Sequence, residues 1–491
     1  MKLSELFKDV PDIEIEGLFA DSRKKRKNAI FFCVQGMMFD GHAFIDQAIE
    51  NGAIVIVHSE EIENKKEGIT YIKVKDVLGT YNKVADTFYK HPSRQLLMFG
   101  VTGTNGKSST ASIIKDILNE YNPCGYVGTI GITYGNVKLP PLLTTPDIDD
   151  LHGILKDMVD AGMDACAIEA SSIGIEQRRI DSIDFDVAIF TNLTHDHLDY
   201  HGTMHNYFLA KKKLFDDMKE DSVAVINADD EYGMKMVADY KGKVVTYGLE
   251  NDADYKVVNY RLLKDKTQIT LRIGSKEYDI ETNLVSKFNI YNLVGSIAAL
   301  HEKGISIEQM IPYLNKLDQV EGRMQRVNEG QPFNVLVDYA HTPDAIEKIC
   351  QFASAITPKD KRIIAVTGSA GKRDKTKRPI MGEQLDKYCD MIILTEDDPR
   401  DEKVRDIAEE IAQGIEKTNY IIIEDRYDAI RQAIELANPN DFVMIIGKGD
   451  DRYMAREFGN DQWDGDIAIC KEILKKYYFG AESDGDLDFE E

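Results

Sequence analysis

The chain has 491 residues, 43% hydrophobic and 30% charged, enough for several packed cores and too mixed in composition for a disordered or fibrous polymer. Lys and Arg number 60 against 85 Asp and Glu; the net charge of −25 argues against a nucleic-acid groove but leaves anionic small molecules open, because local backbone features hold phosphates. No run approaches the roughly 18 apolar residues of a membrane span, the N-terminus MKLSELFKDVPDIEIE lacks a signal-peptide core, and the six scattered cysteines (Cys33, Cys124, Cys166, Cys350, Cys389, Cys470) read as reduced, buried thiols of a cytoplasmic protein rather than metal ligands.

In chain order, residues 1–92 contain short strands at 29–34, 53–57 and 70–74 with helical stretches between them. The segment HPSRQ at 91–95 marks a boundary, since Pro disfavours helix continuation. The second block, 93–327, opens with the apolar run LLMFGV, a glycine-containing loop and the amphipathic stretch STASIIKDILNEY, which is strand, loop, helix. DACAIEA, DFDVAIFTNLT and SVAVINA continue the rhythm and predict a mostly parallel sheet with helices on both faces. The third block, 328–478, repeats it with FNVLVDYA, RIIAVTG, MIILTEDD, YIIIED and FVMIIGKG, each run ending in polar or glycine residues where open α/β sheets place ligands. The acidic tail, 479–491, with Glu482, Asp484, Asp486, Asp488, Glu490 and Glu491, reads as disordered. The expectation is an α/β protein of three domains.

The strongest local signal is Gly103-Thr104-Asn105-Gly106-Lys107-Ser108-Ser109 between a strand and a helix. Glycines let the backbone approach a phosphate, and the helix N-terminus offers free N–H groups and a positive dipole end. Lys107 can reach the outer phosphates and Ser108 can ligate Mg²⁺. The spacing departs from the usual phosphate loop: the first glycine would fall at Val101 and stands instead at Gly100. A tight turn that binds nothing is the bland alternative, and the strand–loop–helix context disfavours it.

VTGTNGKSS at 101–109, LTTPD at 143–147, IEASSIGIEQRR at 168–179, TNLTHDHLDYHGT at 191–203, YFLAKKKLF at 207–215, FNIYN at 288–292, EGRMQ at 321–325, VDYAHTPDA at 337–345 and GKRDKTKRP at 371–379 resemble, in order, the signatures of the Mur ligase family. DSR at 21–23 and DGH at 40–42 are similar to the uridine-side motifs of its branch that adds the third residue of the cell-wall peptide precursor. The resemblance implies an N-terminal UDP-binding α/β domain, a central ATP-binding domain with a phosphate-loop, mostly parallel sheet, and a C-terminal Rossmann-like domain for the incoming amino acid. It also implies phosphorylation of an acceptor carboxylate by ATP, then attack by an amine on the acyl phosphate.

Carried over residue by residue, Lys107, Glu169, His197 and Lys211 are the expected catalytic set. Glu169, His197, Ser108 and Lys211, the last as a carbamate formed with CO₂, are the expected metal ligands for Mg²⁺. Alone, Glu169 reads as a solvated strand end, His197 as a cap or core histidine, and Lys211 as part of a basic helix face with Lys212 and Lys213; the constellation favours the functional roles. Asn292, Arg323 and Asp338 match the ATP side together with residues 103–109. Ser22, Thr144, Thr145, Ser171, Gln177 and Arg179 match contacts to a UDP-muramoyl-peptide. Three departures stand out: Ile173 where the family often has His, Ser286 where it has Gly, and Glu321-Gly-Arg-Met-Gln325 where it has Pro-Gly-Arg-x-Glu.

The incoming amino acid is expected at Arg373, Asp397, Asp398, Pro399, Arg400, Gly447 and Asp451. Asp398 and Asp451 resemble the lysine-adding form and Arg400 the diaminopimelate-adding form. A terminal ammonium suits the two carboxylates, so L-lysine is the expectation and meso-diaminopimelate the alternative. The expected partners are UDP-N-acetylmuramoyl-L-alanyl-D-glutamate and this diamino acid, with ATP and Mg²⁺, no nucleic acid, and a monomeric chain. Competing readings are a folylpolyglutamate-synthetase-like ligase, a cyanophycin-type ligase and a nucleotide-binding regulator without catalysis. The last is disfavoured because Lys107, Glu169, His197 and Lys211 are all present.

Overall fold

The apolar runs become the strands of three main sheets in a computed structural model that describes residues 1–36, 39–263 and 265–478, the side chains of 477 and 478 excepted. The tail read as disordered, 479–491, lies outside the described residues. The protein has three α/β domains, each built on its own main sheet, as expected.

The first sheet has four parallel strands in chain order: Gly17–Phe19, Ala29–Phe32, Ala53–His58 and Thr70–Lys73. The strands expected at 29–34 and 70–74 stop at Phe32 and Lys73. The helix Val77–Phe88, capped by Asp76, covers this sheet, with Tyr81 stacked on Phe32 at 4.1 Å.

The second sheet has eleven strands. At its centre Leu97–Thr102 lies between Ala165–Glu169 and Val187–Phe190, parallel to both. These strands are buried on both faces, as their unbroken apolar runs require. Phe99 and Val101 pack toward the helices Lys107–Leu118 and Lys287–Glu302, and Met98 packs toward Ile148–Asp160. Antiparallel strands extend both margins: Thr267–Ile273 and Lys276–Thr282 on one side, Gly131–Tyr134 and Val137–Leu139 on the other. The sequence reading did not anticipate these hairpins.

The third sheet orders Asn334–Asp338, Phe442–Ile446, Ile363–Thr367, Met391–Leu394 and Asn419–Ile422 in parallel, with Gln325–Val327 antiparallel at one edge. A two-stranded hairpin, Tyr453–Arg456 with Gly459–Gln462, stands apart from it. Among the described residues no helix is long and apolar enough to cross a membrane.

Polar contacts bind the second and third domains at the ends of their strands. Asn105 Nδ2 donates to Asp344 Oδ2 (2.9 Å), Lys377 pairs with Asp196 (3.3 Å), and His195 meets Asp374 (2.9 Å). Lys24 reaches Asp150 (2.8 Å) and Arg178 reaches Asp76 (3.0 Å) across the first and second domains.

Candidate active site

The loop after Leu97–Thr102 is held open by its neighbours. Gly103 sits at φ +151°, where a Cβ would collide with Thr191 Oγ1, and Gly106 at φ +88°, where one would collide with Asn292 Oδ1. Thr191 Oγ1 donates to Asn105 O (2.7 Å), Asn105 N donates to Asn192 Oδ1 (3.0 Å), and Thr104 N donates to Asn192 O (2.8 Å). Gly100 lies inside the strand, where a Cβ would be 2.8 Å from the Phe185 ring. That glycine serves packing, which accounts for the irregular spacing in the sequence.

Two lysines converge on this loop. Lys107 Nζ donates to Gly103 O (2.9 Å) and Thr104 O (2.8 Å), and Lys211 Nζ donates to the same Gly103 O (2.8 Å). Lys211 is buried, its ammonium over the Tyr207 ring at 4.5 Å. Burial lowers the pKa of Lys107; burial, with Lys107 beside it, holds Lys211 well below the usual lysine range. Neither lysine has a carboxylate partner among the described residues. Tyr207, unremarked in the sequence reading, joins its hydroxyl to Thr104 Oγ1 (3.2 Å).

Glu169 ends its strand fully buried. It accepts from the Tyr126 hydroxyl, from Thr129 N (2.9 Å) and from Thr129 Oγ1 (3.2 Å). Thr129 links on to Thr144 Oγ1 (3.1 Å). Thr145 Oγ1 donates to Glu169 O (2.8 Å) and meets Ser171 Oγ (2.9 Å). Ser171 caps the helix Ser172–Glu176, and Arg179 donates to Thr145 O (2.7 Å) and Gln177 Oε1 (2.6 Å). Thr144, Thr145, Ser171, Gln177 and Arg179 thus form one network with Glu169. Ser22 lies in the first domain, donating to Gln47 Oε1 (2.7 Å), and is not joined to that network.

His197 caps a short helix at φ +53°, 3.3 Å from Asp196. Burial takes its imidazole down to about 3, so it stands neutral with nitrogen lone pairs available. Burial alone would raise the Asp196 carboxyl, but the Lys377 charge and a hydrogen bond from His341 hold it well below the usual range. Among the described residues no three His, Cys, Asp or Glu side chains are gathered at metal-binding distance. Glu169 and His197, the expected ligands, would need further oxygens to complete a cation site. Ser108 Oγ, a phosphate and a carbamate at Lys211 are of the right kind for a hard cation.

On the nucleotide side, Asn292 is buried against Gly106 and accepts from Thr110 Oγ1 (3.4 Å). Arg323 donates to Ser108 Oγ (3.2 Å) and lies over the Tyr339 ring at 4.3 Å. Asp338, its pKa raised by burial, accepts from Met324 N (2.6 Å) and Ala340 N (2.7 Å). Ser286, the departure from glycine, has φ +87° and ψ 151°, and its Oγ accepts from Asn289 N at 3.4 Å.

The expected amino-acid residues gather at the strand ends of the third sheet. Asp397 is buried and its carboxyl raised by that burial. Asp398 pairs with Lys448 (2.8 Å) and accepts from Ala455 N (2.9 Å); Asp451, raised by burial to about 6, lies 4.0 Å from Lys448. Arg400, half-buried at φ +53°, donates to Gly371 O (2.6 Å) and has no carboxylate within ion-pair distance among the described residues. Gly371 N closes the loop on Asp398 O (3.0 Å), beneath Pro399. Arg373 stands exposed beside it. Gly447, at φ +114°, is where a Cβ would lie 2.5 Å from Asp397 Oδ2. Below the pocket, fully buried Arg426 pairs with Asp466 (2.6 Å) and donates to Glu396 O (3.2 Å) and Ile446 O (3.1 Å), fixing the two strand ends. The sequence reading passed over Lys448, Arg426 and Asp466; only Lys448 had a local signal, its place in the GKGDD segment.

Comparison with known proteins agrees with this geometry. The chain matches the Mur ligase family catalytic domain over residues 14–89, the Mur ligase middle domain over 101–300 and the Mur ligase glutamate ligase domain over 322–449. It is 39% identical over 464 residues to the UDP-N-acetylmuramoyl-L-alanyl-D-glutamate–2,6-diaminopimelate ligase 1 of Clostridium acetobutylicum, covering 92% of this chain and 95% of that one. The protein belongs to the Mur ligase family. A second Mur relative, the 2,6-diaminopimelate ligase of Aquifex aeolicus, is 38% identical over 96% of both chains. A solved structure of a UDP-N-acetylmuramoyl-L-alanyl-D-glutamate–2,6-diaminopimelate ligase aligns over 97% of this chain and 99% of its own, at 28% identity and TM-score 0.67. This Mur ligase is therefore an ATP-dependent amide ligase of peptidoglycan synthesis that adds a diamino acid. The relatives are named for diaminopimelate, which moves the reading away from the L-lysine expected from sequence. In the structure Lys448 pairs with Asp398 (2.8 Å) and lies 4.0 Å from Asp451, the two carboxylates on which the L-lysine expectation rested.

Proposed function

We propose that the protein joins meso-diaminopimelate to the D-glutamate carboxylate of UDP-N-acetylmuramoyl-L-alanyl-D-glutamate, consuming ATP and releasing ADP and phosphate. The observation that carries the choice of amino acid is Arg400. Among the described residues its guanidinium has a carbonyl partner and no carboxylate, in a pocket where the neighbouring cation Lys448 is matched to Asp398. A distal carboxylate supplies the missing anion in the fork geometry that Arg favours, whereas the side-chain ammonium of lysine would leave it unpaired.

The acceptor carboxylate and the γ-phosphate are both anionic, so their approach requires cations. Lys107 and Arg323 face the loop that would carry the phosphates. The acceptor oxygen attacks the γ-phosphorus and the bond to the ADP oxygen breaks. The amine of the amino acid then attacks the acyl carbon, a proton leaves the nitrogen, and phosphate departs. Mg²⁺ would supply charge neutralisation at the phosphates, held by Ser108, Glu169, His197 and a carbamate on Lys211. The Lys211 amine, buried on a single carbonyl and held toward its neutral form, is in the state that adds to CO₂ with loss of a proton. The Thr144–Arg179 network lies where the muramoyl peptide would enter, and Ser22 is proposed for the UDP end. Reactants come from different domains, and the polar contacts at their junction would keep water from the acyl phosphate.

The test is phosphate release with ATP, Mg²⁺ and the UDP-muramoyl dipeptide, comparing the two amino acids. A charge-assisted bond of about 1.5–3 kcal/mol gives diaminopimelate a kcat/KM advantage of roughly 10–150-fold, which Arg400→Ala removes. A higher kcat/KM for L-lysine in the wild type overturns the proposal.

A further inference from the structure

Two glycines face each other where the second domain meets the third. Gly322, at φ +68°, is so close to the following loop that a Cβ would lie 2.6 Å from Asp450 N. Gly449, at φ +59°, returns the contact: its Cβ would lie 2.8 Å from Gly322 O and 3.2 Å from Tyr339 Cβ. Backbone therefore lies directly on backbone, with the Tyr339 side chain against Gly449. Arg452 ties the outside of the junction, reaching Asp450 (2.6 Å) and Glu321 (3.5 Å).

Each backbone leads to a different ligand. One residue after Gly322 is Arg323, which touches Ser108 of the phosphate loop and lies over the Tyr339 ring. One residue before Gly449 is Lys448, paired with Asp398 of the amino-acid pocket, and two residues after it is Asp451. Tyr339 is thus in contact with the nucleotide-side arginine and with the turn that shapes the amino-acid site.

We propose that Tyr339, wedged against the Gly322–Gly449 contact, is a positioning residue that couples nucleotide binding to amino-acid binding. Nucleotide phosphates draw on Arg323, Arg323 fixes the Tyr339 ring, and the ring sets the turn from Lys448 to Asp451. The inference rests on the amino-acid pocket assigned above. It predicts that an amino acid binds more tightly when the phosphate loop is filled, and equally that the nucleotide binds more tightly when the amino acid is present.

The experiment is calorimetric titration of the full chain with meso-diaminopimelate and, separately, L-lysine, each with and without Mg²⁺ and a non-hydrolysable ATP analogue. In the wild type the analogue should tighten the preferred amino acid by about tenfold, and in Tyr339→Leu by no more than about twofold. Tyr339→Phe, which keeps the ring, should retain the wild-type factor. Gly449→Ala is a second route to the same loss, by pushing a methyl against Tyr339 and Gly322 while leaving both in place. A packing role alone would lower the thermal midpoint of Tyr339→Leu and leave the factor intact, which overturns the proposal; so does a wild type with no factor. If neither amino acid binds the wild type at all, the pocket assignment itself fails.

Discussion

The nucleotide end and the amino-acid end handle charge in opposite ways. At the nucleotide end Lys107 and Lys211 are held by neutral carbonyls, both on Gly103 O, with no carboxylate in ion-pair reach among the described residues. At the amino-acid end charges are matched before any ligand arrives: Lys448 with Asp398, Arg426 with Asp466, Arg378 with Glu402. A buried amine without a counter-ion is costly in its charged form, so burial lowers the pKa of both lysines, and an arriving anion favours that form again. The first region is laid out for a polyanion. On the proposed reading the second takes a zwitterion whose further carboxylate meets Arg400.

The comparison can be broken most severely at Lys211. If its amine is an anion-forming centre at the phosphate loop, Lys211→Ala should lower kcat by about 10²–10³ or more in the phosphate-release assay, as loss of a preorganised charged group does. Activity close to wild type, without added bicarbonate, would remove Lys211 from the site and with it half of the contrast. The next test lies in the pre-paired region. Arg426→Leu leaves Asp466 buried without its partner and should cost about 3–5 kcal/mol in urea unfolding, whereas pairing it with Asp466→Leu should recover most of that. Equal losses in the single and double variants would mean that the carbonyls of Glu396 and Ile446, rather than Asp466, are what Arg426 serves. The smallest effect concerns strain beside the nucleotide. Ser286 occupies a backbone region that is essentially glycine's own, so Ser286→Gly should stabilise the protein by about 1 kcal/mol in the same measurement. A loss of stability would show that its bond to Asn289 N outweighs the strain.

Much of this was legible in the sequence, for identifiable reasons. The interior apolar runs are buried on both faces, so each reads as a parallel strand. The loop residues 103–109 are contiguous, and Thr144 through Arg179 lie on two short segments that the sheet brings together. What stayed hidden depended on distance. Arg426 and Asp466 are 40 positions apart with no pattern joining them. The pairing of Asp398 with Lys448 spans 50 positions, and without it the carboxylate seemed available for a lysine ammonium. The marginal hairpins were missed because strands such as Lys276–Thr282, half polar and exposed, lack the apolar run that betrays the interior ones.

The place of Leu97–Thr102 in its sheet has a consequence for how the chain matures. Its two neighbours, Ala165–Glu169 and Val187–Phe190, are made long after it, and the side chains that prop open the turn behind it, Thr191 and Asn192, come later still. A nascent chain halted near residue 180 carries every letter of the glycine–lysine motif but lacks the strand Val187–Phe190 and the props Thr191 and Asn192. Competence to hold ATP therefore switches on during synthesis only when the interior of the sheet closes, the slow, non-local step of such topologies.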